Sequence, residues 1–161
     1  MRLALFQPDI PQNLGASLRL SACLAVCLDV IEPCAFPLSD KSLKRAALDY
    51  GNKTQIRLHA CWTDFLEAPE RKQGRLILFT TQSSEPFHRF AYQPDDTLLF
   101  GSESAGAPQA VHDAAQTRLY IPLAPGLRSL NVVTAAAMAL GQALGCTGGF
   151  SGLEAQRTPK A

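Results

Sequence analysis

The sequence predicts one α/β domain built on a parallel sheet covered by helices on both faces. Three observations predict it. Short apolar runs recur along the 161 residues, helix-like stretches separate them, and the runs are apolar throughout instead of alternating with polar residues. A chain of this length buries about two thirds of the surface its unfolded form exposes, enough for one core. With 47% hydrophobic and 18% charged residues, the composition is that of an ordinary globular protein. The domain is expected over residues 1–150, followed by a flexible tail over 151–161.

The elements follow in order. LALF (3–6) reads as a strand ended by Gln7-Pro8, and Asn13 opens a helix-like stretch to about Val26. LDVI (28–31), stopped by Glu32-Pro33, is a second strand. Ser39 then caps a helix over 39–50, with Gly51 just past its end. IRLHA (56–60) gives a third strand, TDFLEA (63–68) a short helix before Pro69, LILFTT (76–81) a fourth strand and TLLF (97–100) a fifth. A helix starting at Pro108 runs to about Gln116, RLYIP (118–122) is a sixth strand, and a helix over 129–144 closes the domain.

Several functional classes are excluded on the same ground. Arg19 and Asp29 break the early apolar run, so nothing reaches a membrane span, and Gln7, Pro8, Asp9 and Pro11 interrupt any signal-peptide core. A cytoplasmic protein with reduced thiols is expected. Cys23 and Cys27 stand four apart on the expected helix but lack further ligands at zinc-site spacing, so they read as small buried hydrophobes and no metal is expected. The three histidines, His59, His88 and His112, show no spacing for a metal or a base and read as structural or exposed; Trp62 reads as packing. A net charge of +1 gives no global attraction to nucleic acid. An RNA partner would need a local basic patch or a surface doubled by dimerisation.

In parallel sheets ligands bind beyond the carboxyl ends of the strands. Four segments stand there: QPDIPQNLGASLR, FTTQS, FGSESAGAP and IPLAPGLRSLN. No GxGxxG follows the first strand, and Gly101 to Gly106 lacks the Lys and Ser/Thr of a phosphate loop, which disfavours dinucleotides and nucleoside triphosphates. Arg19 interrupts an apolar helix, where a charge needs a partner or an anionic ligand, and Gly15 and Ala16 leave space one turn before it.

Together these segments resemble the SPOUT superfamily of RNA methyltransferases. The motifs stand as Asn13-x-Gly15-x-x-x-Arg19, Phe100-Gly101-x-Glu103-x-x-Gly106-x-Pro108 and Ile121-Pro122…Ser129-x-Asn131, in the family's order and at the right strand ends. The resemblance spans nearly the whole chain and lies closest to the small branch that 2′-O-methylates the wobble nucleotide of tRNA. It implies a Rossmann-like fold with a deep C-terminal trefoil knot, S-adenosylmethionine as cofactor, and a homodimer acting on the anticodon arm of tRNA, with leucine isoacceptors as substrates.

The resemblance also implies roles. Phe79, Thr80, Gly101, Ile121, Ser129 and Leu130 would wrap the cofactor. Arg19 would stabilise the developing alkoxide, with Asn13, Ser129 and Asn131 positioning the reacting groups. Asn13 taken alone also reads as a helix cap. Glu103 is either an ordinary loop charge or the carboxylate that orients Arg19 or a backbone amide near the cofactor. Lys41, Lys44 and Arg45 are either a solvated helix face or phosphate contacts. Two residues depart from the branch's pattern, since Ala105 replaces a common arginine and Ala16 an asparagine. Methylation of another tRNA or ribosomal site, or RNA binding without catalysis, are the rival readings.

Overall fold

The computed structural model describes residues 1–38 and 55–154. The helix expected over 39–50, with Lys41, Lys44 and Arg45, lies outside the described residues, as does most of the tail. Six strands form one sheet: β1 (Arg2–Phe6), β2 (Cys27–Ile31), β3 (Ile56–His59), β4 (Leu76–Phe79), β5 (Thr97–Phe100) and β6 (Thr117–Leu119). Their order is β3-β2-β1-β5-β4-β6, and every pairing is parallel.

Successive strand residues point to opposite faces, so strands apolar at every position feed two cores. On one face Leu3, Leu5, Leu98 and Phe100 pack with Leu14 and Leu18 of α1 (Pro11–Cys23) and with Ala136, Ala139, Leu140 and Ala143 of α4 (Val132–Thr147). On the other, Ala4, Phe6, Leu78 and Leu99 pack with Phe65 of α2 (Trp62–Glu67) and Val111 of α3 (Gln109–Ala114). Trp62 packs edge-on against Phe6 at 5.6 Å between centroids. Inside the second layer, Arg2 donates to Asp29 through two bonds of 2.8 and 2.7 Å, and His59 Nε2 lies 2.8 Å from Asp29 Oδ1. Asp29 is 1% exposed, so the two cationic or donor partners satisfy a carboxylate that burial alone would not permit.

Several boundaries differ from those expected, and four of them have a local reason. The helix after β1 begins at Pro11, whose fixed φ suits the first helical position; Asn13 sits inside it as a buried residue, and Ile10 caps it without a side-chain bond. That helix ends at Cys23, so Cys23 and Cys27 lie on different elements, the first exposed and the second half-buried. β6 stops at Leu119 because its partner β4 stops at Phe79. Tyr120 instead exchanges backbone bonds with Glu85 and Phe87. The last helix starts at Val132, with Asn131 as its cap in place of Ser129 within it, and closes on Gly148 at φ 71°. A further short helix, α5 (Ser151–Glu154), follows.

Candidate active site

The cleft forms where the chain leaves the tips of β1, β4, β5 and β6. After β1, Gln7 adopts a left-handed φ of 47°, which turns the chain out of the sheet toward α1. After β5, Ser102 and Gly106 exchange two backbone bonds of 2.9 Å and close a tight loop. Gly106 sits at φ 71°, where a side chain is strained. Gly101 has a different need: a Cβ there would lie 2.3 Å from the Gly106 carbonyl carbon and 2.6 Å from Ala107 N, inside the backbone. Both glycines thus serve the loop's own closure.

The cleft has a volume of about 550 Å³, within the roughly 300–1,000 Å³ usual for small-molecule sites. All six residues expected to wrap a cofactor line it: Phe79, Thr80, Gly101, Ile121, Ser129 and Leu130. Asn13, Glu103 and Asn131 line it too. The lining mixes apolar and polar side chains, and among the described residues it includes one carboxylate, Glu103. That mixture fits S-adenosylmethionine: apolar walls suit the adenosine, and a carboxylate suits a sulfonium and an ammonium.

Hydrogen bonds join the three motifs into one relay. Asn131 Nδ2 donates to Asn13 Oδ1 at 2.9 Å, and Asn13 Nδ2 donates to Glu103 Oε1 at 2.8 Å. Glu103 Oε2 accepts from the Asp9 amide at 3.0 Å. At the other end, Asn131 Oδ1 accepts from the Val133 and Thr134 amides at 2.9 and 3.3 Å, capping α4. Of the alternatives for Glu103, the bond the structure shows is to a backbone amide, that of Asp9. Asn13 is 8% exposed, and both ends of its amide are satisfied inside the relay.

Beside the relay, Asp9 Oδ2 accepts from the Ser104 amide at 3.0 Å and from the Ser104 hydroxyl. Hydrogen bonding with the neighbouring Glu103 carboxyl, then with Ser104, holds the Asp9 carboxyl down to about 2. Burial, with Glu32 and Glu103 adding negative potential, pushes the Cys34 thiol up to about 11.

Two residues fall outside the expected picture. Arg19 is exposed on α1 and is not among the described residues that line the cleft. His112, read from sequence as structural or exposed, is 5% exposed and lines the cleft. A polar residue following apolar Val111 in the first turn after the Gly101 loop was the signal for it. His59 is buried against Asp29 and His88 is exposed. Among the described residues no group of three or more His, Cys, Asp or Glu could hold a metal ion, and no helix is long and apolar enough to cross a membrane.

Comparison with known proteins adds a separate line of observation. The model of the SpoU rRNA methylase family matches residues 1–141. A tRNA (cytidine(34)-2'-O)-methyltransferase of Beijerinckia indica subsp. indica is 51% identical over 142 residues, 88% of this chain and 89% of that protein. A solved structure described as giving insights into the 2-OH methylation of C/U34 on tRNA superposes with a TM-score of 0.82 at 37% identity, covering 90% of this chain and 94% of the other. The SpoU methyltransferase AviRb from Streptomyces viridochromogenes, in complex with AdoMet, shares the fold, with a TM-score of 0.77 at 23% identity over 89% of this chain and 59% of the other.

Proposed function

Because this chain belongs to the SpoU methylase family, a family of methyltransferases, we propose that it moves a methyl group from S-adenosylmethionine to the ribose 2′-oxygen of nucleotide 34 of tRNA, with leucine isoacceptors as substrates. The observation that carries the reading is the relay Asn131–Asn13–Glu103, which binds all three motif segments together at one cleft. The relatives named for cytidine 34 supply the position.

When bound, S-adenosylmethionine supplies an electrophilic methyl group on a sulfonium. The chain's own work is to align, exclude water and handle one proton. Glu103 gives the cleft its negative potential, which favours a cationic ligand over its neutral product. Asn13 and Asn131 are fixed by each other and by the α4 cap, so their orientation is set before any ligand arrives. Ser129, exposed and part of the cleft lining, positions the attacking oxygen in this reading. A guanidinium with a pKa above about 12 is a poor base, so Arg19 stabilises the developing alkoxide and grips phosphate.

Arg19 performs that role in a homodimer, reaching the partner's cleft. Two features support this: Arg19 is not among the residues that line the cleft, and α4 carries an exposed face of small residues, including Ala137 and Gly145, beside the half-exposed Met138. In this reading α4 also threads an earlier loop as a trefoil knot, and Lys41, Lys44 and Arg45 contact the anticodon arm.

The test is direct. Purified protein, S-adenosylmethionine and a leucine tRNA transcript should give one alkali-resistant linkage, after nucleotide 34. A transcript with 2′-deoxyribose at that nucleotide should accept nothing, and methylation elsewhere would refute the assignment. For the shared site, an Arg19→Ala chain is co-expressed with an Asn131→Ala chain and assayed well below the melting temperature of the mixed dimer. Return of about half the activity per dimer supports a site built from both chains. No return places both groups in one chain.

A further inference from the structure

A second cavity, of about 400 Å³, adjoins the cleft and shares Gln82 with it as a common lining residue. It forms where the chain beyond β4 runs back along β6, the edge strand of the sheet. Bonds fix its backbone. The Ser83 hydroxyl donates to the Arg118 carbonyl at 2.6 Å and accepts from the Glu85 amide at 3.1 Å, and the Tyr120 amide donates to the Glu85 carbonyl at 3.0 Å. Four lining side chains, those of Gln82, Ser84, Thr117 and Arg118, have no hydrogen-bond or ion-pair partner among the described residues. Glu85 lines the cavity too, yet no ion pair joins it to Arg118.

Charge decides what such a cavity takes. Each of the four unpartnered side chains can donate a hydrogen bond, and Arg118 is the one Lys or Arg among the described residues that line either cavity. Donors grouped with a guanidinium suit the anionic oxygens of a phosphodiester. An RNA strand whose ribose reaches the cleft carries a phosphate on each side of that ribose. In the cleft itself the described charge is the Glu103 carboxylate, which repels phosphate, so the nearest lining cation lies past Gln82, at Arg118. We propose that the second cavity is an RNA subsite in which Arg118, with Ser84 and Thr117, holds a backbone phosphate flanking the nucleotide in the cleft. This rests on the reading that the cleft acts on RNA.

Fluorescence anisotropy with a labelled anticodon stem-loop reads this contact apart from the chemistry. Arg118→Gln should weaken binding about tenfold, and should flatten the slope of log affinity against log salt by about 0.7, the share of one phosphate on a single strand. Arg118→Lys should restore the slope and only part of the affinity, because the charge returns without the planar fork. Turnover at saturating RNA and calorimetric binding of S-adenosylhomocysteine should match wild type, so that the loss falls on KM. In wild-type protein, stem-loops with a single neutral methylphosphonate placed in turn around nucleotide 34 should reveal one position that weakens binding as much as Arg118→Gln does. That stem-loop should bind Arg118→Gln no more weakly than the natural one. Unchanged affinity in Arg118→Gln, a fall in kcat or in S-adenosylhomocysteine affinity, or a scan in which no neutral linkage weakens the wild type would overturn the proposal while leaving methylation at nucleotide 34 standing. Failure of the wild type to bind the stem-loop at low salt would overturn the RNA reading as well.

Discussion

Replacing Asn131 by Ala and by Asp separates its two tasks, capping α4 and holding Asn13. Ala removes both. Loss of an Asn cap costs about 1 kcal/mol, and leaving the buried Asn13 carbonyl oxygen without its donor costs about 2 kcal/mol more. At about 3 °C per kcal/mol for a domain of this size, Asn131→Ala should melt about 9 °C below wild type. Asp caps as well as Asn but presents only acceptors to Asn13 Oδ1, so Asn131→Asp should keep the cap, lose the link, and melt about 6 °C low. The assay is thermal unfolding by circular dichroism at one fixed protomer concentration, because self-association would otherwise move the midpoint. Amide exchange at Val133 and Thr134 should speed up in the Ala variant and stay slow in the Asp variant. Ser129→Ala is the control: the side chain is exposed and bonds to no described residue, so its midpoint should match wild type within about 1 °C. An Asn131→Asp midpoint equal to wild type would refute the structural link to Asn13, and protected amides in Asn131→Ala would refute the cap.

Further predictions follow from the same site. Gly101→Ala should open the loop against the Gly106–Ala107 backbone, abolish calorimetric binding of S-adenosylhomocysteine and lower the melting temperature; retained binding would show that the loop can yield. Asp9, ordinarily near 3.8 and held to about 2 when folded, contributes stability that is complete above about pH 4 and lost as pH falls toward 2. Urea midpoints should therefore drop more steeply over that window in wild type than in Asp9→Asn, and parallel curves would count against the pairing. Arg19→Ala should lower turnover at least about a hundredfold while leaving S-adenosylhomocysteine affinity unchanged by calorimetry, and near-normal turnover would remove Arg19 from the chemistry.

Much of this architecture was legible in the sequence because strands such as LALF and LILF are apolar on both faces, which only a doubly covered parallel sheet requires. The cleft was legible because motif residues mark strand ends, and all six expected cofactor contacts line it. What escaped was set by long-range partners. Ser129 and Asn131 are both good caps in sequence, and in the structure it is Asn131 that caps α4 while bonding to Asn13, 118 residues away. β6 looked longer than it is because its apolar run continues past the point where β4 ends. His112 escaped because α3's two-sided placement, Val111 in the core and the next residue at the cleft, depends on how the Gly101 loop folds back, which periodicity does not encode. Arg19 stood out in the sequence as a charge interrupting an apolar helix, and the structure places it exposed on α1.

The most direct test of the central claim is a map of ribose methylation across all tRNAs and ribosomal RNA from cells with and without this protein. The account predicts that cells lacking it lose 2′-O-methylation at nucleotide 34 of leucine tRNAs and at no other site, with recovery on re-expressing the wild-type chain and none with Arg19→Ala. An unchanged methyl group at nucleotide 34, or a loss at another tRNA or ribosomal position, would contradict it.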